Sequence, residues 1–577
     1  MLSDAIANWL ERHRLHLSRP DALLQLSGMG LLTGFLAGVV IVAFRMAVES
    51  IQAGMLPGQL PENYEGLPPL LRFLLPLCGG LLTGLIFHRY AKGLYVLGIA
   101  RIMERLAYHQ GHLSLREFFL QFICAAIAII SGHSVGREGP HVFLGAASGS
   151  LLGQKLSLPN NSIRTLVGCG AAAGISASFD TPLAGVIFAL EVIMMEYTLA
   201  SFIPIILAAV SASSLSIFVL GDAKAFEVSV LHLGSMRELS IVLLLGVVAG
   251  TASAGFVHLL QFTSTRSRGL SFWQKTTLAG FIVGLCGLLA PEVLGIGYDT
   301  VNSILLGETA LTLLLILVFM KIIATSACIG LGIPGGMIGP ALFIGAAVGG
   351  IIAPLPGLLF DGVVSDPGFY ALIGMGAVMG ASLQAPLAAL TAIIELTHNP
   401  QVVMPGMLAI VVASLTSSEL FHKKSLFITL LQASGLDYRT DPVMQSLRRV
   451  GVASIMNRDF LRCSSLLTRD SASRILEQTP EWILIDIQGA TSVTLMPGVD
   501  LAHNIEEGNE DELDLMEIPA RRYQLTNISM LATLQEASEK LQESGAEALY
   551  VERIGRHRSV TIQGILTREQ IESAYRF

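Results

Sequence analysis

Two motifs occur twice in this chain, in the same order and at nearly the same offset. Gly139–Gly153 reads GPHVFLGAASGSLLG and Gly339–Ala353 reads GPALFIGAAVGGIIA, so Pro140 and Pro340 lie 200 residues apart. Pro182–Glu191 reads PLAGVIFALE and Pro386–Glu395 reads PLAALTAIIE, an offset of 204 residues. A double recurrence of this kind implies two related halves. Apolar segments recur at about 22–48, 68–90, 117–131, 164–197, 200–220, 238–262, 276–290, 309–330, 341–354, 368–396 and 401–417. Several are shorter than the ~20 residues a helix needs to cross a bilayer, and many are interrupted by Gly or Pro. Short, broken apolar segments at matching places in two halves point to a transport protein with its site between the halves near mid-membrane.

The charges sharpen the division. The chain is 52% hydrophobic and 14% charged, against roughly 25% charged in soluble proteins. Residues 1–440 hold 45 Asp, Glu, Lys and Arg, and residues 441–577 hold 35. This excludes an ordinary soluble enzyme, a disordered chain and a nucleic-acid binder. It predicts a polar N-terminal segment over residues 1–20 and a membrane domain over 21–438, with halves at about 21–220 and 238–435. A soluble domain over 445–577 follows. Arg12, Arg14 and Arg19 before the first apolar run favour a cytoplasmic N-terminus, and no signal-peptide cleavage pattern follows them. The short loops suit a bacterial inner-membrane protein. Cys78, Cys124, Cys169, Cys286, Cys328 and Cys463 show no paired or metal-type spacing and read as buried thiols, not a disulfide framework.

In the tail, β-rich runs at Trp482–Ile487 and Ala548–Ile554 alternate with amphipathic stretches such as Ser529–Ser544. The acidic segment Glu506–Glu517 reads as a solvated linker between two small α/β modules, about 445–505 and 518–577.

The sharpest chemical motif is Gly136-Arg137-Glu138-Gly139-Pro140, opening a helix rich in Gly and Ala. Pro is well placed in a first helical turn. A helix start attracts anions through its unused N–H groups and its dipole. Glu138 can occupy the anion position with its own carboxylate, and protonation or displacement would clear it. The bland alternative is a helix cap paired with Arg137. The second half carries Gly335-Gly336-Met337-Ile338-Gly339-Pro340, with the same Gly-rich entry and no charge. There the N–H groups of Met337 and Ile338 could face the first half across a shared cavity, or the glycines could serve close helix packing alone. His133 and His141 flank the gate motif as possible proton carriers, or as structural histidines. Glu191 and Glu395 occupy equivalent repeat positions, suited to helix–helix hydrogen bonding or, for Glu191, to a proton role. No P-loop, metalloprotease or redox motif appears, and no nucleophile–base pair that would make an enzyme.

On these motifs the chain resembles the CLC family of chloride channels and chloride/proton antiporters, over most of residues 25–430. The tail resembles the CBS-domain pair of some members. The resemblance implies an all-α polytopic membrane fold with two inverted-repeat halves and broken helices, followed by a cytoplasmic α/β CBS pair. It implies a homodimer with one anion pathway per subunit. Glu138 becomes the external gate, and Gly136, Arg137, Gly139, Met337 and Ile338 become anion-binding positions. Three departures from the family pattern matter. Val192 stands where antiporters carry an inner proton glutamate. Phe427 falls at the family's central tyrosine. Val96-Leu97-Gly98-Ile99-Ala100 replaces a serine-containing motif, leaving Leu97 and Gly98 without its hydroxyl. Each lost hydroxyl donor removes roughly 0.5–1.5 kcal/mol, which predicts weaker anion binding and looser selectivity. In the tail, Thr567 and Arg568 resemble the phosphate end of an adenine-nucleotide site, but Gln570 replaces the usual ribose-binding Asp. No cofactor is required. The leading expectation is a passive or weakly proton-coupled anion pathway, with chloride as the default. An obligate anion/proton antiporter and a non-transporting membrane sensor are the rivals.

Overall fold

The computed structural model describes residues 17–19, 22–91, 97–221, 226, 232–361, 364–397, 399–436, 442–486, 493–507, 511–554 and 560–574. Arg12, Arg14 and Val96 lie outside them. The chain forms two units: Leu26–Leu156 with Ile163–Tyr438, and Met1–Gln25 with Ser157–Ser162 and Arg439–Phe577.

The larger unit is helical. Its first half contains α1 (Leu23–Met55), α2 (Pro69–Tyr90), α3 (Ile99–Tyr108), α4 (Leu115–Ile130), α5 (Glu138–Lys155), α6 (Asn160–Phe179), α7 (Pro182–Phe188) and α8 (Leu199–Leu220). Its second half contains α9 (Leu239–Arg266), α10 (Phe272–Leu289), α11 (Tyr298–Leu305), α12 (Leu311–Gly330), α13 (Ile338–Ile352), α14 (Leu355–Leu359), α15 (Pro367–Leu383), α16 (Pro386–Thr397), α17 (Val403–Leu415) and α18 (Leu426–Ala433). Among the described residues, eight helical stretches are long and apolar enough to cross a membrane. Leu31, Leu32, Phe35 and Val39 stand exposed along α1 as a lipid-facing stripe.

Two expected segments divide. The stretch 164–197 becomes α6, α7 and a π-helical turn over Ala189–Met194; 368–396 becomes α15 and α16. Both breaks fall at a non-glycine residue in the left-handed region, Asp180 (φ 55°) and Gln384 (φ 53°), each two residues before the Pro that restarts the helix. Hydropathy also misses α3 and α11. They are short and amphipathic, and each starts after a Gly with positive φ, Gly98 (79°) and Gly297 (82°).

Small residues set the packing, as expected where apolar burial does not separate helix from lipid. A Cβ on Gly145 of α5 would strike the Gly170 carbonyl of α6. In the second half a Cβ on Gly345 of α13 would strike the Gly374 carbonyl of α15. The same crossing is thus built twice. Lys321 of α12 is fully buried, and its ammonium donates to the carbonyls of Val293, Gly295 and Ile296 at 3.1 Å each. It also lies 4.5 Å from the Phe343 ring centroid. A charge at this depth is tolerated because its donors are satisfied, and it fixes the loop leading into α11.

The tail repeats one topology. β1 (Phe460–Ser464) pairs parallel with β3 (Trp482–Asp486), which pairs antiparallel with β4 (Val493–Pro497). β6 (Tyr523–Ser529) pairs parallel with β7 (Ala548–Ile554), which pairs antiparallel with β8 (Val560–Thr567). β4 and β6 join the triplets into one sheet through Thr494↔Gln524 and Leu495↔Tyr523. Two expectations are corrected. The helix expected over Ser529–Ser544 begins only at Leu534, because Thr533 and Glu536 form a capping box and Ser529 ends a strand. The acidic linker is not all solvated loop: Glu506 and Glu507 end the helix Gly498–Glu507, and β5 (Glu512–Asp514) pairs with β2 (Leu466–Thr468), with Leu513 and Leu515 buried.

Candidate functional site

The two Gly-rich entries meet inside the helical unit. Gly136 N–H donates to the Gly336 carbonyl at 2.8 Å, and Gly336 N–H donates to the Gly136 carbonyl at 2.7 Å. Only glycine permits this approach: a Cβ on Gly139 would sit 2.6 Å from the Gly336 Cα. The bridge brings the starts of α5 and α13 together, so two positive helix ends face one place.

Glu138 sits there with no exposure to solvent. Its Oε2 accepts the Gly339 N–H at 3.2 Å, and its Oε1 accepts the hydroxyl of Tyr298. The backbone donor of the second half that reaches Glu138 is therefore Gly339, next to the expected pair Met337 and Ile338. Arg137 is engaged by other groups. It pairs with Glu49 at 3.2 Å, and its guanidinium carbon lies 5.3 Å from the Tyr298 ring centroid.

A cavity of about 790 Å³ opens against the other side of this junction. It is lined by Leu97, Gly139, Met337 and Phe427 of the expected set, together with the backbone of Gly335 and Gly336. The Phe427 ring enters from the start of α18, which Ser425 caps. Ile338 instead lines a small apolar space beside Phe188 and Ala388. Gly98 is buried as the residue before α3. Arg268 and Lys275 also line the cavity and place positive charge in its wall. Sequence reading held Gly339 only as part of its motif and passed over Tyr298, Arg268 and Lys275. These three carried no chemical signature in the sequence; Tyr298 stands out only once Gly297, with its positive φ, opens α11 beside Glu138.

The remaining candidates are placed as follows. Glu191 lies in the π-helical turn after α7, and its carboxylate accepts the N–H groups of Leu387 and Ala388 at 3.2 and 2.7 Å. Glu395 of α16 accepts those of Leu183 and Ala184 at 2.9 and 2.7 Å. Each glutamate thus caps the Pro-initiated helix of the opposite half. Val192 is buried beside Glu191. The Nδ1 of His133 lies 2.9 Å from the Ser131 hydroxyl, and the Nδ1 of His141 lies 2.9 Å from that of Ser178. In the tail, the Thr567 hydroxyl accepts from Gln570 N–H, and the Gln570 side chain accepts from Thr567 N–H at 2.9 Å. Both are used to cap the helix Arg568–Ser573, which carries Arg568 in its first turn.

Related helical halves, broken helices and a buried carboxylate where two helix starts converge define a membrane transport protein of the internal-repeat class. A family model described as voltage gated chloride channel matches residues 79–418. The chain belongs to this family, the CLC chloride channels and antiporters. It is similar to the putative chloride channel protein ClcB-like of Ralstonia nicotianae, 34% identical over 396 residues, which span 67% of this chain and 92% of that protein. It is also similar to the voltage-gated ClC-type chloride channel ClcB of Escherichia coli, 31% identical over 404 residues, 68% of this chain and 96% of that one. Among solved structures, a slow cyanobacterial Cl⁻/H⁺ antiporter superposes with a TM-score of 0.62 at 24% identity, covering 71% of this chain and 97% of its own. A eukaryotic CLC transporter superposes with a TM-score of 0.60 at 20% identity over 95% of this chain and 98% of its own, tail included.

Proposed function

We propose that this protein conducts small anions, chloride by default, down their gradient with weak or no proton coupling, and that Glu138 is its gate. One observation carries the reading. A buried carboxylate occupies the convergence of two helix starts and accepts an N–H group that would otherwise serve an anion. Displacing or protonating it opens the path to the cavity lined by Met337 and Phe427. Arg268 and Lys275 favour anion entry from that side and oppose cations.

An obligate anion/proton antiporter needs a second, inner proton carrier. Val192 cannot titrate, and Glu191 is engaged as a helix cap; both support the channel-like reading. The remaining parts of the proposal are a homodimer in a bacterial inner membrane, with the N-terminus and the CBS-like tail cytoplasmic. The protein is a transporter and not an enzyme. The tail braces or regulates the dimer, and an adenine nucleotide near Thr567 and Arg568 would be held only weakly, since Thr567 already caps a helix with Gln570.

The deciding experiment reconstitutes the purified protein in liposomes and records chloride and pH together under a chloride gradient. Chloride efflux without proton movement is expected. Uphill proton movement in fixed proportion to chloride would establish the antiporter instead. No flux, with Glu138→Ala silent, would establish the sensor.

A further inference from the structure

The gate carboxylate is held by two groups, and the gating motif supplies neither of them. One is the Gly339 N–H; the other is the hydroxyl of Tyr298, the first residue of α11. Tyr298 is nearly buried, its ring 5.0 Å from that of Phe226 and 5.3 Å from the Arg137 guanidinium. The loop before it is stapled by Lys321 through three carbonyls, which fixes where the hydroxyl points. We propose that Tyr298 is a positioning residue that latches Glu138 in the anion position and sets how readily the gate opens. This rests on Glu138 being the gate.

The chemistry gives the sign. A phenol remains a donor through neutral pH. A donor to a carboxylate stabilises the ionised form more than the protonated one, and such charge-assisted bonds are stronger than neutral ones. The hydroxyl therefore competes on the side of the closed gate, against both the anion and the proton. The charged groups around the pair are Arg137 beside Glu138, Arg45 and Glu49 from α1, Glu62 from the α1–α2 connection, Asp299 next to Tyr298, and Lys321 from α12. His141, one turn on, is turned toward Ser178. Tyr298→Phe alters none of these and keeps the ring against Arg137 and Phe226.

The test is chloride flux from proteoliposomes across pH 4–9 for the wild type, Tyr298→Phe, Glu138→Ala and the double variant, after checking that each elutes as the wild type does. Tyr298→Phe should move the midpoint of the pH response about one unit toward alkaline pH, a tenfold easier protonation, and raise flux at pH 7 severalfold. On the Glu138→Ala background it should change nothing. If Glu138→Ala flattens the pH response but Tyr298→Phe matches the wild type, the latch is wrong and the gate stands. A shift that persists without Glu138 also overturns the latch. If Glu138→Ala keeps a normal pH response, the gate reading fails and the latch fails with it.

Discussion

A carboxylate and an ammonium, each fully buried in the helical unit, set the terms of this molecule. Glu138 takes the place where helix dipoles would hold an anion, so removing it should leave that place permanently open. Glu138→Ala is expected to give pH-independent flux, measured as initial chloride efflux at pH 5 and pH 8; a residual pH dependence as large as that of the wild type would contradict the assignment. Lys321 does a different job. Replacing it with Met leaves the carbonyls of Val293, Gly295 and Ile296 without their donor in a dry interior. Each uncompensated polar group costs about 1–3 kcal/mol, so Lys321→Met should lower the melting temperature in detergent. An unchanged melting temperature would show that water or another donor replaces the ammonium.

At the scale of elements, the repeat is written in close contacts that hydropathy does not see. Gly145 against Gly170 and Gly345 against Gly374 are the same crossing in both halves. Gly145→Ala and Gly345→Ala should each destabilise by about 1–3 kcal/mol through overpacking, visible as lower yield of monodisperse protein on size exclusion. A variant matching the wild type in yield would mean that the helices can part there. The breaks at Asp180 and Gln384 explain why two long apolar runs hid four helices: a run of apolar residues reports burial, and says nothing of a single left-handed residue inside it. The helices α3 and α11 were missed for a different reason. They are short, and they bury an apolar face while Arg101, Glu104, Arg105 and Asp299 stay at least partly exposed, so they never reach membrane-span hydropathy. The duplicated Gly-Pro entries, by contrast, were enough to bring Glu138 and Met337 to one junction, and the family resemblance added Phe427. Tyr298 escaped because a lone Tyr after Gly carries no chemical signature until the fold sets it against a carboxylate.

For the whole molecule, charge density in the sequence separates a membrane part from a tail, and alternating strand and helix patterns suggest two modules; neither pattern foretells how strand β5 is used. Thr567 and Gln570 are spent on each other as a helix cap, which weakens the case for a tightly held ribose. Millimolar ATP is accordingly expected to leave the melting temperature of the full chain unmoved, whereas a ligand at 100 times its Kd would add about 2.7 kcal/mol. The crossed caps of Glu191 and Glu395 have a historical consequence. Neither half can finish its own Pro-initiated helix, since each borrows its cap from the other. An ancestor made of one half would have met that need only by pairing with a second copy of itself, the same borrowing running both ways. The present chain has the form of two such copies in one polypeptide. Split between Gly221 and Glu238 and expressed as two polypeptides, it should reassemble only when both pieces are made in the same cell.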